Sequence, residues 1–209
     1  MSSGLFITVE GTDGSGKTTQ IKLMKQYLEG RGYEVVLTRE PGGTHISEKI
    51  RDLVLDKENT DIEPITELIL YAASRAQHVA QLIKPALEAG KVVICDRFVD
   101  SSYAYQGFGR NIDLKAVADV NRIAVDGIVP DITFFLDIDV EVAIKRRISA
   151  TEADRIEQEK LAFHKNVYEG YKKLSILYPE RIKTIDAKKT VEEIALEIKE
   201  YLIGIIESY

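Results

Sequence analysis

Apolar residues along this 209-residue chain follow two alternating rhythms. Short β-branched runs at 5–9, 34–38, 91–96, 132–137 and 181–185 read as strands, the third of them central and the last edge-like. Between them the apolar positions recur every three or four residues, as on a helix face. Ile21, Met24 and Leu28 mark one helix, stopped by Gly30 and Gly32; Ile46, Ile50 and Val54 mark a second. A long stripe opens at Pro64 and runs through Ile65, Leu68, Ile69, Ala72, Ala76, Val79, Ile83 and Ala86, all expected to face inward, to Gly90. Asp113 and Asp139 are placed to cap the next two helices, and Thr190 with Glu193 forms a capping box for the last. A further helix is predicted from Ile156 through Phe163, Val167, Tyr171 and Leu174. Residues 98–110, with Gly107 and Gly109, read as irregular chain. Residues 149–154 are a weak polar interruption between helices.

Five strands alternating with helices predict an α/β fold: a doubly wound, five-stranded parallel sheet with helices on both faces. No repeat, low-complexity tract or linker divides it, so one domain over residues 1–209 is expected. Ligands of such sheets bind beyond the carboxyl ends of the strands. The loops starting at residues 10, 39, 96, 137 and 186 are therefore expected along one rim.

Composition narrows the partners. A formal charge of −6 argues against a general nucleic-acid binder, although local arginine clusters still suit small phosphorylated ligands. Cys95 is the only cysteine, so no disulfide closes within the chain, which suits a reducing compartment. No window offers an apolar span for a membrane and no signal peptide is recognisable; a cytoplasmic location is expected.

The chemistry concentrates at Gly11-Thr12-Asp13-Gly14-Ser15-Gly16-Lys17-Thr18-Thr19, a full match to G-x-x-x-x-G-K-[ST] set between a strand and a helix. Its glycines let successive N–H groups converge on one anion, and the helix N-terminus adds partial positive charge. Lys17 then reaches the outer phosphates and the Thr18 hydroxyl serves Mg²⁺. A nucleoside triphosphate is expected. Asp96 and Asp137 each end an apolar strand where a second metal ligand belongs; Arg97 beside Asp96 favours the former. Arg39, Arg51, Arg97, Arg146, Arg147 and Arg155 are the candidate phosphate forks. Tyr71 and Arg75 share a helix face, as a ring and a fork for a base.

Taken with Thr38-Arg39-Glu40-Pro41-Gly42-Gly43, Tyr71-Ala72-Ala73-Ser74-Arg75, Asp96-Arg97 ahead of Ser101, Ser102 and Ala104-Tyr105-Gln106, and Asp154-Arg155-Ile156-Glu157, the chain resembles the bacterial thymidylate kinases along essentially its whole length. That resemblance implies phosphoryl transfer from ATP, with Mg²⁺, to thymidine monophosphate by a homodimer. A kinase for another nucleoside monophosphate or a deoxynucleoside is the alternative. It implies that Arg39 and Arg97 grip the acceptor phosphate with Arg51 nearby, while Glu40 and Asp96 organise water and metal. Asp13 sits between metal and sugar, Arg75 bonds the thymine O4, and Ser102 and Gln106 lie along the rest of the base edge. Tyr105 crowds the ribose 2′ position, while Arg146 and Asp186-Ala187 flank adenine. Two departures stand out. Tyr71 occupies a stacking position commonly held by phenylalanine. Gly14 replaces a loop arginine without any arginine at 148–154, so a lid over about 146–157 must rely on Arg147 or Arg155.

Overall fold

The computed structural model describes residues 4–148 and 153–206. The five apolar runs form β1 (Phe6–Glu10), β2 (Val35–Arg39), β3 (Val92–Asp96), β4 (Ile132–Asp137) and β5 (Ile182–Asp186). All pair in parallel, in the order β2-β3-β1-β4-β5. The inner three are apolar and buried nearly throughout, because helices cover both faces. The edge strands β2 and β5 are only partly buried.

Successive β1 side chains divide between the faces, as the strand period requires. Ile7 and Val9 pack with Ile21, Met24 and Leu28 of α1 (Lys17–Glu29) and with Ile194, Ile198 and Leu202 of α9 (Val191–Ile206). Phe6 turns the other way, onto Val79, Ile83 and Phe98. Pairing Arg39 with Asp96, Asp96 with Val9 and Asp137 with Asp186 keeps the strand ends level, so the loops that follow share one rim.

The remaining helices are α2 (His45–Leu55), α3 (Pro64–His78), α4 (Lys84–Glu88), α5 (Val99–Ser102), α6 (Leu114–Val125), α7 (Val140–Ile148) and α8 (Leu161–Leu177). The three expected caps form: Asp113 accepts the Lys115 N–H, Asp139 the Glu141 N–H, and Thr190 and Glu193 bond each other's backbone.

Three expectations are corrected. The stripe from Pro64 is not uniformly α-helical: Val79–Ile83 widens into a π-helical turn, with the Lys84 N–H reaching back five residues to the Val79 carbonyl. Pro85 follows at once, lacking an N–H and crowding the turn before it, and the wider turn accommodates both defects. The 98–110 stretch is helical, as α5 and a π-helical segment, Tyr103–Gly109. Its glycines are points of close approach: a Cβ at Gly107 falls 2.6 Å from the Leu114 side chain, and one at Gly109 falls 2.7 Å from Phe163. Finally, α8 starts at Leu161; residues 153–160 form turns held by Asp154, whose carboxylate accepts the N–H groups of Ile156 and Glu157. Of the lid expected at 146–157, residues 149–152 lie outside the described residues.

Candidate active site

The glycine loop leaves β1 with Gly11, Gly14 and Gly16 at φ of 141°, 85° and 98°, a region that penalises any side chain. At Gly14 a Cβ falls 2.1 Å from the Ala143 carbonyl oxygen, because α7 runs directly against the loop. At Gly16 it meets nothing within 4 Å. Helix α1 then starts with neither a capping side chain nor an acid in its first turn, leaving its N–H groups for an anion. Lys17 is buried and folds back on the loop: Nζ donates to the Gly11 and Thr12 carbonyls at 3.1 Å each, with Asp13 at 3.7 Å. Burial and the Arg97 charge push its amine below the ordinary lysine range. Thr12 Oγ1 and Ser15 Oγ are buried without a partner among the described residues.

Arg97 follows β3 at a φ of 69° and bridges the rim. Its Nη2 donates to Asp13 at 2.7 Å, its Nη1 to the Tyr171 hydroxyl at 3.1 Å, and the guanidinium lies over the Tyr105 ring. Burial raises the Asp13 carboxyl, but Arg97 and Lys17 outweigh it and hold the group well below the usual range. Behind Arg97 lies Glu10, the last residue of β1, to which the sequence reading gave no role. It accepts the Phe98 N–H (2.7 Å), the Ser101 hydroxyl (2.7 Å) and the Tyr171 hydroxyl (2.8 Å). Burial, with the nearby Asp100 charge, pushes its carboxyl up to about 7 against the pull of Arg97. Asp100 is itself gripped by both Nη atoms of Arg181, at 2.6 and 2.8 Å.

Arg75 is 2% exposed, and protein acceptors take four of its five N–H groups. Nε donates to Glu40 (2.7 Å), Nη1 to Ser102 (2.8 Å) and to Asn121, and Nη2 to the Phe98 carbonyl (3.1 Å). One Nη2 hydrogen makes none of these bonds. Glu40 has no such spare atom: its second oxygen faces His78 Nδ1 at 3.0 Å, and His78 Nε2 meets Thr38 Oγ1 at 2.6 Å.

Two cavities open at the rim. The first, about 190 Å³, is lined by Tyr71, Arg75, Ser102, Tyr105 and Gln106. The second, about 340 Å³, is lined by Gly14, Gly16, Lys17, Thr18, Thr19 and Asp96. Asp13, Glu40, Arg51, Arg97 and Arg147 line both, so three guanidinium groups form the wall between them. Arg51 donates to the Pro41 carbonyl at 2.8 Å, and Arg147 donates to Glu157 at 2.7 and 2.8 Å. Arg39 lines only the second cavity, paired with Glu48 at 2.9 Å. Arg146 also lines the second and donates to the Ala187 carbonyl at 3.2 Å; Asp186 and Ala187 line neither. Arg155 lines neither as well, since its Nε donates to the Val54 carbonyl (2.8 Å) and its Nη2 to Glu67 (2.7 Å).

The second cavity fits a small hard cation. Asp96 Oδ1 is buried there without a hydrogen-bond partner among the described residues, and Thr18 belongs to the same lining. The rival Asp137 is occupied, accepting the Tyr168 hydroxyl at 2.7 Å. Among the described residues no cluster of three His, Cys, Asp or Glu forms a protein-only cage. Mg²⁺ needs none, since it completes its octahedron with phosphate oxygens and water.

A family model described as thymidylate kinase matches residues 9–198. The chain is 50% identical to a thymidylate kinase of Clostridium novyi over 204 residues, covering 97% of this chain and 100% of that one. It is 49% identical over 206 residues to one of Thermoanaerobacter sp. (strain X514), covering 99% and 98%. Among solved structures, a thymidylate kinase of Ehrlichia chaffeensis is similar with a TM-score of 0.80 at 35% identity, covering 96% of this chain and 99% of that one.

Proposed function

Since the chain belongs to the thymidylate kinase family, and so moves the ATP γ-phosphoryl group to thymidine 5′-monophosphate, we propose how its residues divide that work. An oxygen of the acceptor phosphate attacks the γ-phosphorus, the bond to the β–γ bridging oxygen breaks, and ADP leaves. The acceptor's second pKa is about 6, so it is mostly a dianion at neutral pH and needs no general base. Positioning and charge neutralisation carry the step.

In this reading the first cavity takes the base, with Tyr71 stacked on it and the spare Arg75 hydrogen directed to O4. Ser102 and Gln106 serve the remaining base edge, and Tyr105 crowds the 2′ position. Gly11 to Thr19 cradle the ATP phosphates, with Lys17 leaving its loop carbonyls to meet them. Arg146 and Asp186-Ala187 flank adenine. Arg39, Arg51 and Arg97 serve the acceptor phosphate, with Asp13 between the metal and the sugar. Thr18 and Asp96 would hold Mg²⁺, which would supply neutralisation of the phosphate charge. Arg147 is favoured over Arg155 for the transferred group, because Arg147 lines both cavities while Glu67 holds Arg155. Glu40 serves as a brace for Arg75, since both its oxygens are engaged.

One observation carries this reading: the two cavities share a wall of three arginines, which supports a donor and an acceptor phosphate meeting end to end there. We further take the chain as one domain with its lid at 146–157. No helix of the described residues is long and apolar enough to cross a membrane, which is compatible with a cytoplasmic homodimer. Ile65 and Ile69 of α3, expected to face inward, are instead exposed and suit its contact face, and sedimentation of Ile69→Glu as a monomer is the check. The central experiment couples ADP release to a panel of nucleoside monophosphates. Thymidylate is expected to lead the panel; robust turnover with ATP and Mg²⁺ alone, or a different leading acceptor, sinks the assignment.

A further inference from the structure

Glu67 is 0% exposed, an acid set in the buried side of α3 one turn before Tyr71. Four N–H groups converge on it. Its Oε1 accepts from Gln106 Nε2 (3.0 Å) and Arg110 Nε (3.1 Å), and its Oε2 from Arg110 Nη2 (2.9 Å) and Arg155 Nη2 (2.7 Å). Burial opposes the charge, but these donors outweigh it and keep the carboxyl below the ordinary glutamate range. An ionised carboxylate only accepts hydrogen bonds. The Gln106 amide therefore has one permitted orientation, nitrogen toward Glu67 and carbonyl away from it. Gln106 lines the first cavity and Glu67 does not, so the end of the amide turned away from Glu67, its carbonyl, is the one left for a ligand on the cavity side.

We propose that Glu67 is a specificity-determining positioning residue: by fixing the Gln106 amide it makes the base cavity accept a ring N–H and refuse a ring nitrogen lone pair. Thymine carries N3–H with a carbonyl at C4, matching the Gln106 carbonyl and the spare Arg75 donor. Cytosine reverses both, with an accepting N3 and a donating amine. The selection resides in an ion cluster that never touches the nucleotide, since Arg110 and Arg155 hold Glu67 and Glu67 holds the reader. This rests on reading the first cavity as the base site.

The test is Glu67→Gln in the full chain, read as the inhibition constant of deoxycytidine monophosphate divided by the KM of thymidylate. The new amide keeps its oxygen toward Arg110 Nη2 and Arg155 Nη2 and places its nitrogen where Gln106 and Arg110 Nε met the carboxylate, so the Arg110 Nε contact is lost and Gln106 must rotate and present a donor to the cavity. The ratio is expected to fall about tenfold or more, with the KM for ATP unchanged. A purely structural role lowers the Tm and the active fraction but leaves the ratio alone, and that result overturns the proposal. In a Gln106→Leu background the same substitution is expected to leave the ratio unmoved; equal effects in both backgrounds also overturn it. Should Glu67→Gln not fold, Arg110→Met removes two of the four donors and is expected to shift the ratio the same way by less; no shift overturns the proposal. A wild-type enzyme that does not phosphorylate thymidylate defeats the site reading itself, a separate result from an unmoved ratio.

Discussion

Arg75 is a charge that the interior tolerates because nearly all of its fork is used. Arg75→Met removes the donor proposed for the thymine O4 and leaves Glu40 buried with His78 as its remaining side-chain partner among the described residues. The expected outcome is twofold: a KM for thymidylate raised at least tenfold, and a loss of about 3 kcal/mol from the unpaired buried acid. Steady-state kinetics and a urea melt read the two separately, and an unchanged KM removes Arg75 from the base site. Glu10 makes a different prediction, one of pH. Its carboxyl is raised from 4.5 to about 7, so the folded chain keeps a proton that the unfolded chain releases between those values. Its contribution to stability is thus present below pH 4.5 and lost as pH rises through 7. Glu10→Gln cannot titrate. The stability of wild type minus variant is expected to decline by roughly 3 kcal/mol across that window and then level off. A constant difference from pH 4 to 8 contradicts it. The sequence reading gave no role to the buried acids Glu10 and Glu67 for one reason: a period of hydrophobicity records where a side chain points, not what meets it there. Glu67 alone left a trace. It precedes Tyr71 and Arg75 by four and eight residues, and extending that polar face one turn back reaches it.

At the scale of elements, the strands were the most legible part of the chain, because runs buried on both faces admit few other readings. The phosphate loop was equally legible, since its chemistry depends on backbone and its glycines are visible as letters. What stayed hidden was the partner across each close approach. Gly107 and Gly109 read as chain breakers, while their effect is to admit Leu114 and Phe163 against a helix. Arg147 and Arg155 read alike until α2 and α3 were seen to claim one of them through Val54 and Glu67. The same distinction separates two glycines of the loop. Gly16→Ala places a methyl in open space, so its cost to the unliganded fold is the positive φ alone, about 1–2 kcal/mol. Gly14→Ala adds a collision with the Ala143 carbonyl, worth a further ~1–3 kcal/mol of overpacking. Gly14→Ala is therefore expected to melt several degrees below Gly16→Ala, while Gly16→Ala still binds ATP poorly because its methyl enters the phosphate cradle. Equal melting temperatures would show that α7 yields freely to the loop.

For the molecule as a whole, the parallel sheet matters because it brings separate binding loops to one rim. Residues 13, 51, 97 and 147 come from the glycine loop, α2, the end of β3 and α7, yet all face the boundary of the two cavities. A wall shared in this way has a consequence that separate crevices lack. If, as proposed, two ligands meet there with their phosphates in line, they are nearly connected already, and joining them converts the second binding event into an intramolecular one. A single molecule with adenosine at one end, thymidine at the other and an oligophosphate bridge is expected to bind roughly a hundredfold or more tightly than the better of the two nucleotides. It should also compete with both ATP and thymidylate. Varying the bridge measures the gap: affinity rises until the chain spans the arginine wall, then falls slowly as slack is added. A bridged compound that competes with one nucleotide only, at every length, means that the cavities do not hold donor and acceptor in line, and direct transfer across Arg97 and Arg147 is then excluded.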